Sequence, residues 1–265
     1  MKELHKTSFW ESLVIQKRVL GALLMREIIT RYGRHNLGFA WLFLEPMMFT
    51  VGIALLWSFI KDMHGDGISI IPFAIIGYST ILCWRNSSGR VAHAIEANMG
   101  LLYHKNVKVL DVFLARIFLE CIGATISFVA LMSLSIIFGI ADLPVNFLTM
   151  IYGWLLLVWF AIALALTMGS LFQLSDVLDR LWHAFTYLMF PLSGTAFMVH
   201  WLPDQFRTIV LYIPTVHANE LIRHGYYGDL IPTYESATYL ISVNIFLTFI
   251  GLLSVQYIGQ RVETY

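Results

Sequence analysis

An all-α integral membrane fold of six transmembrane helices is what this sequence predicts, and three observations predict it. The chain of 265 residues is 58% hydrophobic and only 13% charged, with a mean hydropathy of +0.71, well beyond what one soluble core absorbs. The apolar residues fall into six charge-poor blocks, at 37–60, 68–84, 121–141, 147–172, 181–202 and 237–258, each near the ~20 residues a helix needs to cross ~30 Å of hydrocarbon. With an inside N-terminus, 14 of the 17 Lys and Arg residues lie on the inner side, as the positive-inside rule requires. Six crossings then return the C-terminus to the same side, so both termini are expected in the cytoplasm. Alternating segments of ~10 residues, the mark of a β-barrel, do not occur.

Residues 8–34 precede the first block and read as an amphipathic helix on the cytoplasmic surface. Phe9, Leu13, Leu20, Leu24 and Ile28 recur at roughly helical spacing, and Lys17, Arg18, Arg26, Arg31 and Arg34 supply a basic face. The segment lacks the apolar run and cleavage site of a signal peptide. It serves equally as a lipid anchor or as a docking surface for a cytosolic partner.

The first span carries Glu45, the one ionised side chain within the six blocks, ~12 Å along the helix and directly before Pro46. A carboxylate at that depth is a functional candidate; it either satisfies groups freed by the proline, pairs with a basic neighbour or lines a polar path. Trp41 lies one turn earlier and is a candidate flat face for pyranose rings. Trp84, Phe197 and Trp201 are further aromatic candidates for a substrate path, most other tryptophans being expected at the interfaces. The second block, at 17 residues, is short for a span.

The inner segment 85–111 mixes Glu96, His104, Lys105, Lys108 and Asp111 with Met99, Leu101 and Val107, a composition suited to short helices resting on a soluble partner. At the start of the third span Arg116 and Glu120 are four apart and read as an intrahelical pair. The inner segment 173–180 is short. The outer segment 203–236 is too broken to span and too apolar for an ordinary loop; a pair of re-entrant or interfacial helices hinged at Pro214 fits it, with His217, Asn219, Glu220 and Arg223 following. This makes 203–236 a candidate gate. The chain as a whole, 1–265, reads as a single permease-like domain with its bundle at 37–258.

No Gly-Lys dipeptide occurs, which excludes a P-loop, and H-E-x-x-H, C-x-x-C and G-x-S-x-G are also missing. Catalytic residues, a metal site and a nucleic-acid partner are accordingly not expected. His224 and Asp229 have the H-x-x-x-x-D spacing of lipid acyltransferases, but that spacing arises readily by chance and lies on the predicted outside. Cys83 and Cys121 fall in or beside spans and imply no disulfide framework.

The sequence resembles the type-2 family of ATP-binding-cassette exporter permeases, and within it the inner-membrane components of capsular polysaccharide exporters of Gram-negative bacteria. The resemblance is carried by Arg26-Glu-Ile-Ile-Thr-Arg-Tyr-Gly-Arg34 running into Leu37-Gly-Phe-Ala-Trp41 and Glu45-Pro46. It continues through Leu110-Asp-Val-Phe-Leu-Ala-Arg116, through Arg180, Trp182, Pro191, Ser193 and Gly194, and through Pro214 to Arg223. Relatives often have Asn-Pro where this chain has Asn219-Glu220. The resemblance implies a homodimer with two copies of a separate nucleotide-binding subunit, which holds the ATP and Mg; no cofactor is expected on this chain. It further implies that the N-terminal helix and the loop after span two contact that motor, that a lipid-linked polysaccharide moves outward along the dimer axis, and that 203–236 forms periplasmic gate helices. A periplasmic co-polymerase and an outer-membrane channel are the implied further partners, and the bacterial inner membrane the implied location. Export of another glycan, such as O-antigen or teichoic acid, is the nearest alternative.

Overall fold

The computed structural model describes residues 9–32, 36–59, 68–102 and 107–262. Helices dominate, and no strand occurs among the described residues. In chain order they are α1 (Phe9–Tyr32), α2 (Asn36–Phe59), α3 (Ile70–Arg90), α4 (Ala94–Leu102), α5 (Val109–Ile137), α6 (Phe147–Phe172), α7 (Asp176–Leu192), α8 (Asp204–Val210), α9 (Pro214–Tyr227) and α10 (Ala237–Val262). Two 3₁₀ turns, Val199–Trp201 and Gly228–Leu230, flank α8 and α9. By length and composition α5, α6 and α10 are apolar enough to cross a membrane.

The boundaries follow from local chemistry. The Asn146 side chain accepts the Thr149 N–H at 3.1 Å and so starts α6, and Ser175 accepts that of Val177 at the start of α7. Asp111 reaches back to the Lys108 N–H at 2.9 Å and caps α5. Each bond satisfies one of the donors a helix leaves orphaned at its first turn. Pro214 occupies the first turn of α9, where its missing N–H costs nothing, so the hinge expected there is a helix start.

α6 is the centre of the bundle and packs against α10, α3 and α9, while α3 also meets α5 and α2. One continuous apolar core runs through them, including Phe73, Ile76, Phe113, Ile117, Leu157, Ala161 and Leu240, none more than 2% exposed. α9 presses hard on the first turn of α6. A Cβ on Gly225 would stand 2.3 Å from the Met150 nitrogen, and the Gly225 carbonyl accepts from Asn146 N–H at 2.8 Å. Ala for Gly in an exposed helix is normally favourable by about 1 kcal/mol; here overpacking reverses the sign. Gly225→Ala is expected to lower stability by about 2–3 kcal/mol, read as a fall in the thermal midpoint of the purified full chain.

Two expectations are corrected. The fifth apolar block does not continue as a helix to residue 202: α7 ends at Leu192, Ser193 N–H bonds back to the Met189 carbonyl at 2.8 Å, and Gly194 adopts φ +79°. That left-handed residue just past the helix end is the usual stop signal. The Arg116–Glu120 pair is not formed either. Arg116 turns to Glu27 of α1 at 3.0 Å, and Glu120 faces Arg90 of α3 at 3.4 Å; partners on other helices outcompete the neighbour one turn away. Trp84, a candidate for the substrate path, and Trp154 are both packed inside the bundle, at 3% and 6% exposure, with Trp154 stacked on Phe128.

The apolar residues of α1 also divide. Leu20, Leu23 and Leu24 meet the core, while Trp10, Leu13, Val14 and Ile15 stay exposed. α1 rests on α5 and α2.

Candidate functional site

Two polar constructions stand out in this apolar bundle, one toward each end of α3. At its C-terminal end, a cavity of about 610 Å³ opens between α1, α3, α5 and α7. Its wall includes Glu27, Arg85, Arg90, Arg116, Trp182 and Tyr187. Arg116 places one terminal nitrogen 3.0 and 3.3 Å from the two Glu27 oxygens and donates from the other to the Arg90 carbonyl at 3.1 Å. Arg90 bridges Glu45 of α2 at 2.9 Å and Glu120 of α5 at 3.4 Å. Four helices are thus tied by charge-assisted bonds, the strong class of hydrogen bond.

The same end holds α4. Asn98, 4% exposed, accepts from Arg26 at 2.6 Å and donates to Glu27 at 3.3 Å. Gln173, just past α6, donates to the Ala92 carbonyl at 2.7 Å. α4 is therefore pinned from α1, and the turn before it from the end of α6.

Toward the N-terminal half of α3 lies the second construction, a clasp around the break after α7. Arg223 of α9 is fully buried. It donates to the carbonyls of Gly194 and Phe197 at 2.7 Å each and of Thr195 at 3.0 Å, and its guanidinium lies 4.0 Å over the Phe73 ring. Asn219 donates to the Ser193 carbonyl at 3.0 Å and accepts from Thr80 at 2.7 Å. Glu220, 1% exposed, accepts the Val199 and Tyr234 N–H groups. Burial pushes its carboxyl up and the Arg223 charge draws it back. Burial lowers Arg223 to about 10, against the pull of Glu220, so the guanidinium remains charged at neutral pH. His217 donates from Nε2 to the Leu211 carbonyl at 2.8 Å and accepts Ser236 N–H on Nδ1 at 3.0 Å, which, with burial lowering its pKa, defines a neutral ring.

The residues singled out in the sequence distribute between these constructions. Glu45 pairs with a basic neighbour, Arg90, at the cavity end. Trp41, one turn earlier, is 49% exposed. Phe197 and Trp201 belong to the clasp, Trp201 tilted on Phe73 at 5.3 Å, together with Asn219, Glu220 and Arg223. Trp84 packs in the core. Of the residues placed on the inner docking surface, Arg26 bonds to α4, Glu96 is exposed beside His93, Lys108 is exposed, and Asp111 is 1% exposed at its cap. Arg34, His104, Lys105 and the side chain of Arg31 lie outside the described residues. The acyltransferase spacing forms no dyad: His224 Nδ1 bonds to Glu235, not Asp229. Sequence reading missed Glu27, Arg85, Arg90 and Trp182 as site residues; Arg85 and Arg90 entered only as inner-side charge.

A helical bundle with many large apolar side chains exposed and three helices long and apolar enough to cross a membrane has the make-up of an integral membrane protein. The sequence profile described as "ABC-2 type transporter" matches residues 18–227, and the chain belongs to that family. It is similar along nearly its whole length to the "Capsule polysaccharide export inner-membrane protein CtrC" of Neisseria meningitidis serogroup B, 46% identical over 99% of each chain. It is 42% identical over 97% of each chain to the protein of the same description, BexB, from Haemophilus influenzae. The "Polysialic acid transport protein KpsM" of Escherichia coli is 29% identical, over 90% of this chain and 92% of its own.

Proposed function

We propose that this chain is the membrane-spanning subunit of an ATP-driven exporter that moves capsular polysaccharide, lipid-linked, from cytoplasm to periplasm. The observation that carries the reading is the 46% and 42% identity, over essentially full length, to two capsule export inner-membrane proteins. ATP is hydrolysed by a separate subunit, which binds the nucleotide and Mg; the missing P-loop supports this division. The proposed assembly is a homodimer with two such ATPase subunits, working with a periplasmic co-polymerase and an outer-membrane channel.

In this reading α2, α3, α5, α6, α7 and α10 are the six spans of a single domain in the inner membrane, with both termini cytoplasmic, supported by the distribution of Lys and Arg. The cavity end is then the inner end. α1 and α4 form the surface that meets the ATPase, with Arg26, Arg31, Arg34, Glu96, His104, Lys105, Lys108 and Asp111 in or behind it. The bonds of Asn98 to α1, and of Gln173 to the turn before α4, support a stiff contact. Trp41 and Glu45 line the inner path and Phe197 and Trp201 its outer part, while residues 203–236, with Pro214, Asn219, Glu220 and Arg223, form the periplasmic gate.

The test is complementation. In an encapsulated strain deleted for its own permease, this chain with its cognate ATPase is expected to restore surface polysaccharide, and ATP turnover of the purified pair should exceed that of the ATPase alone. Polymer that stays intracellular while both proteins are present and associated in the membrane sinks the reading.

A further inference from the structure

The cavity at the end of α3 contains three guanidinium groups in unequal states. Arg116 is neutralised by Glu27 and Arg90 by Glu45 and Glu120. Arg85 has no carboxylate within ion-pair distance among the described residues; its guanidinium lies 5.6 Å from the centroid of the Tyr187 ring. The acidic group nearest in sequence on α7, Asp179, faces the imidazoles of His93 and His183 at 3.9 and 3.6 Å instead. Among the described residues, Arg85 is thus a half-buried cation on the cavity wall that no carboxylate neutralises.

Beside it the wall is aromatic and fixed. Trp182 is stacked on Phe185 with centroids 5.4 Å apart, and its Nε1 donates to Ser88 Oγ at 3.3 Å. Neutral hydrogen-bonding groups, Asn86 and Thr186, complete this side. The volume of about 610 Å³ lies within the roughly 300–1,000 Å³ of small-ligand sites. A cation, flat apolar faces and neutral polar groups in one concavity match a pyranose ring carrying an anionic group: the guanidinium takes the carboxylate or phosphate, and the aromatic face covers the ring's C–H side.

We infer that this cavity binds an anionic sugar unit of the substrate at the inner mouth, with Arg85 as the anion contact and Trp182 and Tyr187 as the ring contacts. The inference rests on the export reading above. The anion belongs either to an acidic sugar of the polymer or to a phosphate at its lipid-linked end, and the experiment separates the two.

The full chain in nanodiscs of zwitterionic lipid is titrated calorimetrically with tetragalacturonic acid, with its carboxyl-reduced neutral counterpart, and with glucose 1-phosphate. Wild type is expected to bind at least one charged probe more tightly than the neutral one. Arg85→Gln is expected to weaken that probe on the order of tenfold, with Arg85→Lys in between, and to leave the neutral probe unchanged. Preference for the carboxylate assigns the charge to the polymer; preference for the phosphate assigns it to the linked end. Equal binding of charged and neutral probes to wild type, or of charged probes to wild type and Arg85→Gln, overturns the inference. Complementation separates this from failure of the wider reading: if wild type restores surface polysaccharide while Arg85→Gln binds like wild type, only the site assignment falls.

Discussion

Replacing Arg223 with Met is expected to cost about 3–5 kcal/mol, the scale for removing one partner of a buried charged network, and to abolish most folded chain in the membrane. Three carbonyls, of Gly194, Thr195 and Phe197, would lose their donor at once, and the Glu220 carboxyl, which burial pushes up, would lose the cation that draws it back. No water route compensates at a residue that is 0% exposed. Arg223→Lys keeps the charge but not the planar fork that serves several carbonyls, so about half the loss should remain. Glu220→Gln should be milder, because an amide oxygen still accepts from one of the two N–H groups. The measurement is the thermal midpoint of purified full-length chain in nanodiscs, beside membrane abundance. A loss below about 1 kcal/mol for Arg223→Met, an ordinary single hydrogen bond, would mean that the clasp does not hold the break.

Glu27→Ala is expected to have the next largest effect, at the other end of the bundle. The Glu27 and Arg116 side chains are only 12% and 15% exposed, so the truncation strands a largely desolvated guanidinium on α5. A cost of about 3 kcal/mol follows, and it should appear as release of α1: protease sensitivity of residues 9–32 with the remaining helices intact. Glu27 also accepts from Asn98, so α4 should loosen together with α1. The double variant Glu27→Gln, Arg116→Met removes both charges and should recover most of the stability, since pairing rather than ionic attraction sets the penalty. If the double variant is no better than Glu27→Ala, steric fit at α1 and not the stranded charge is the cause.

The legible part of this fold was the part written in hydropathy. α6 coincides with the apolar block at 147–172 and α10 begins with the block at 237, because a polar cap or loop adjoins each. α3 outruns its block by six residues to Arg90: helices end where caps and backbone end them, not where the apolar run stops. The fifth block failed in the opposite sense. Residues 193–202 carry no ionised side chain and so extend the block, but Ser193-Gly194-Thr195 is a local polar stop, read as such only once Gly194 is seen at φ +79°. The two polar constructions were largely hidden for one reason. Their pairings join residues far apart in sequence, Glu27 with Arg116 and Gly194 with Arg223, whereas local spacing offered Arg116 with Glu120, a contact the folded chain does not make. Glu45 was legible as a candidate because a charge in an apolar block stands out; its partner Arg90, in a polar stretch, did not.

Gly77 gives α3 a mechanical property. A Cβ there would lie 2.4 Å from the Thr195 carbonyl oxygen and 3.1 Å from Arg223, so backbone bears on backbone with no compliant side chain between them. Eight residues on, ~12 Å along the same helix, stands Arg85, and Pro72 is confined to the first turn. α3 is therefore a stiff strut whose two bearings are the cavity and the clasp. A tilt of α3 about Gly77 would have to carry the Thr195 carbonyl, and with it the segment after α7, in the same direction.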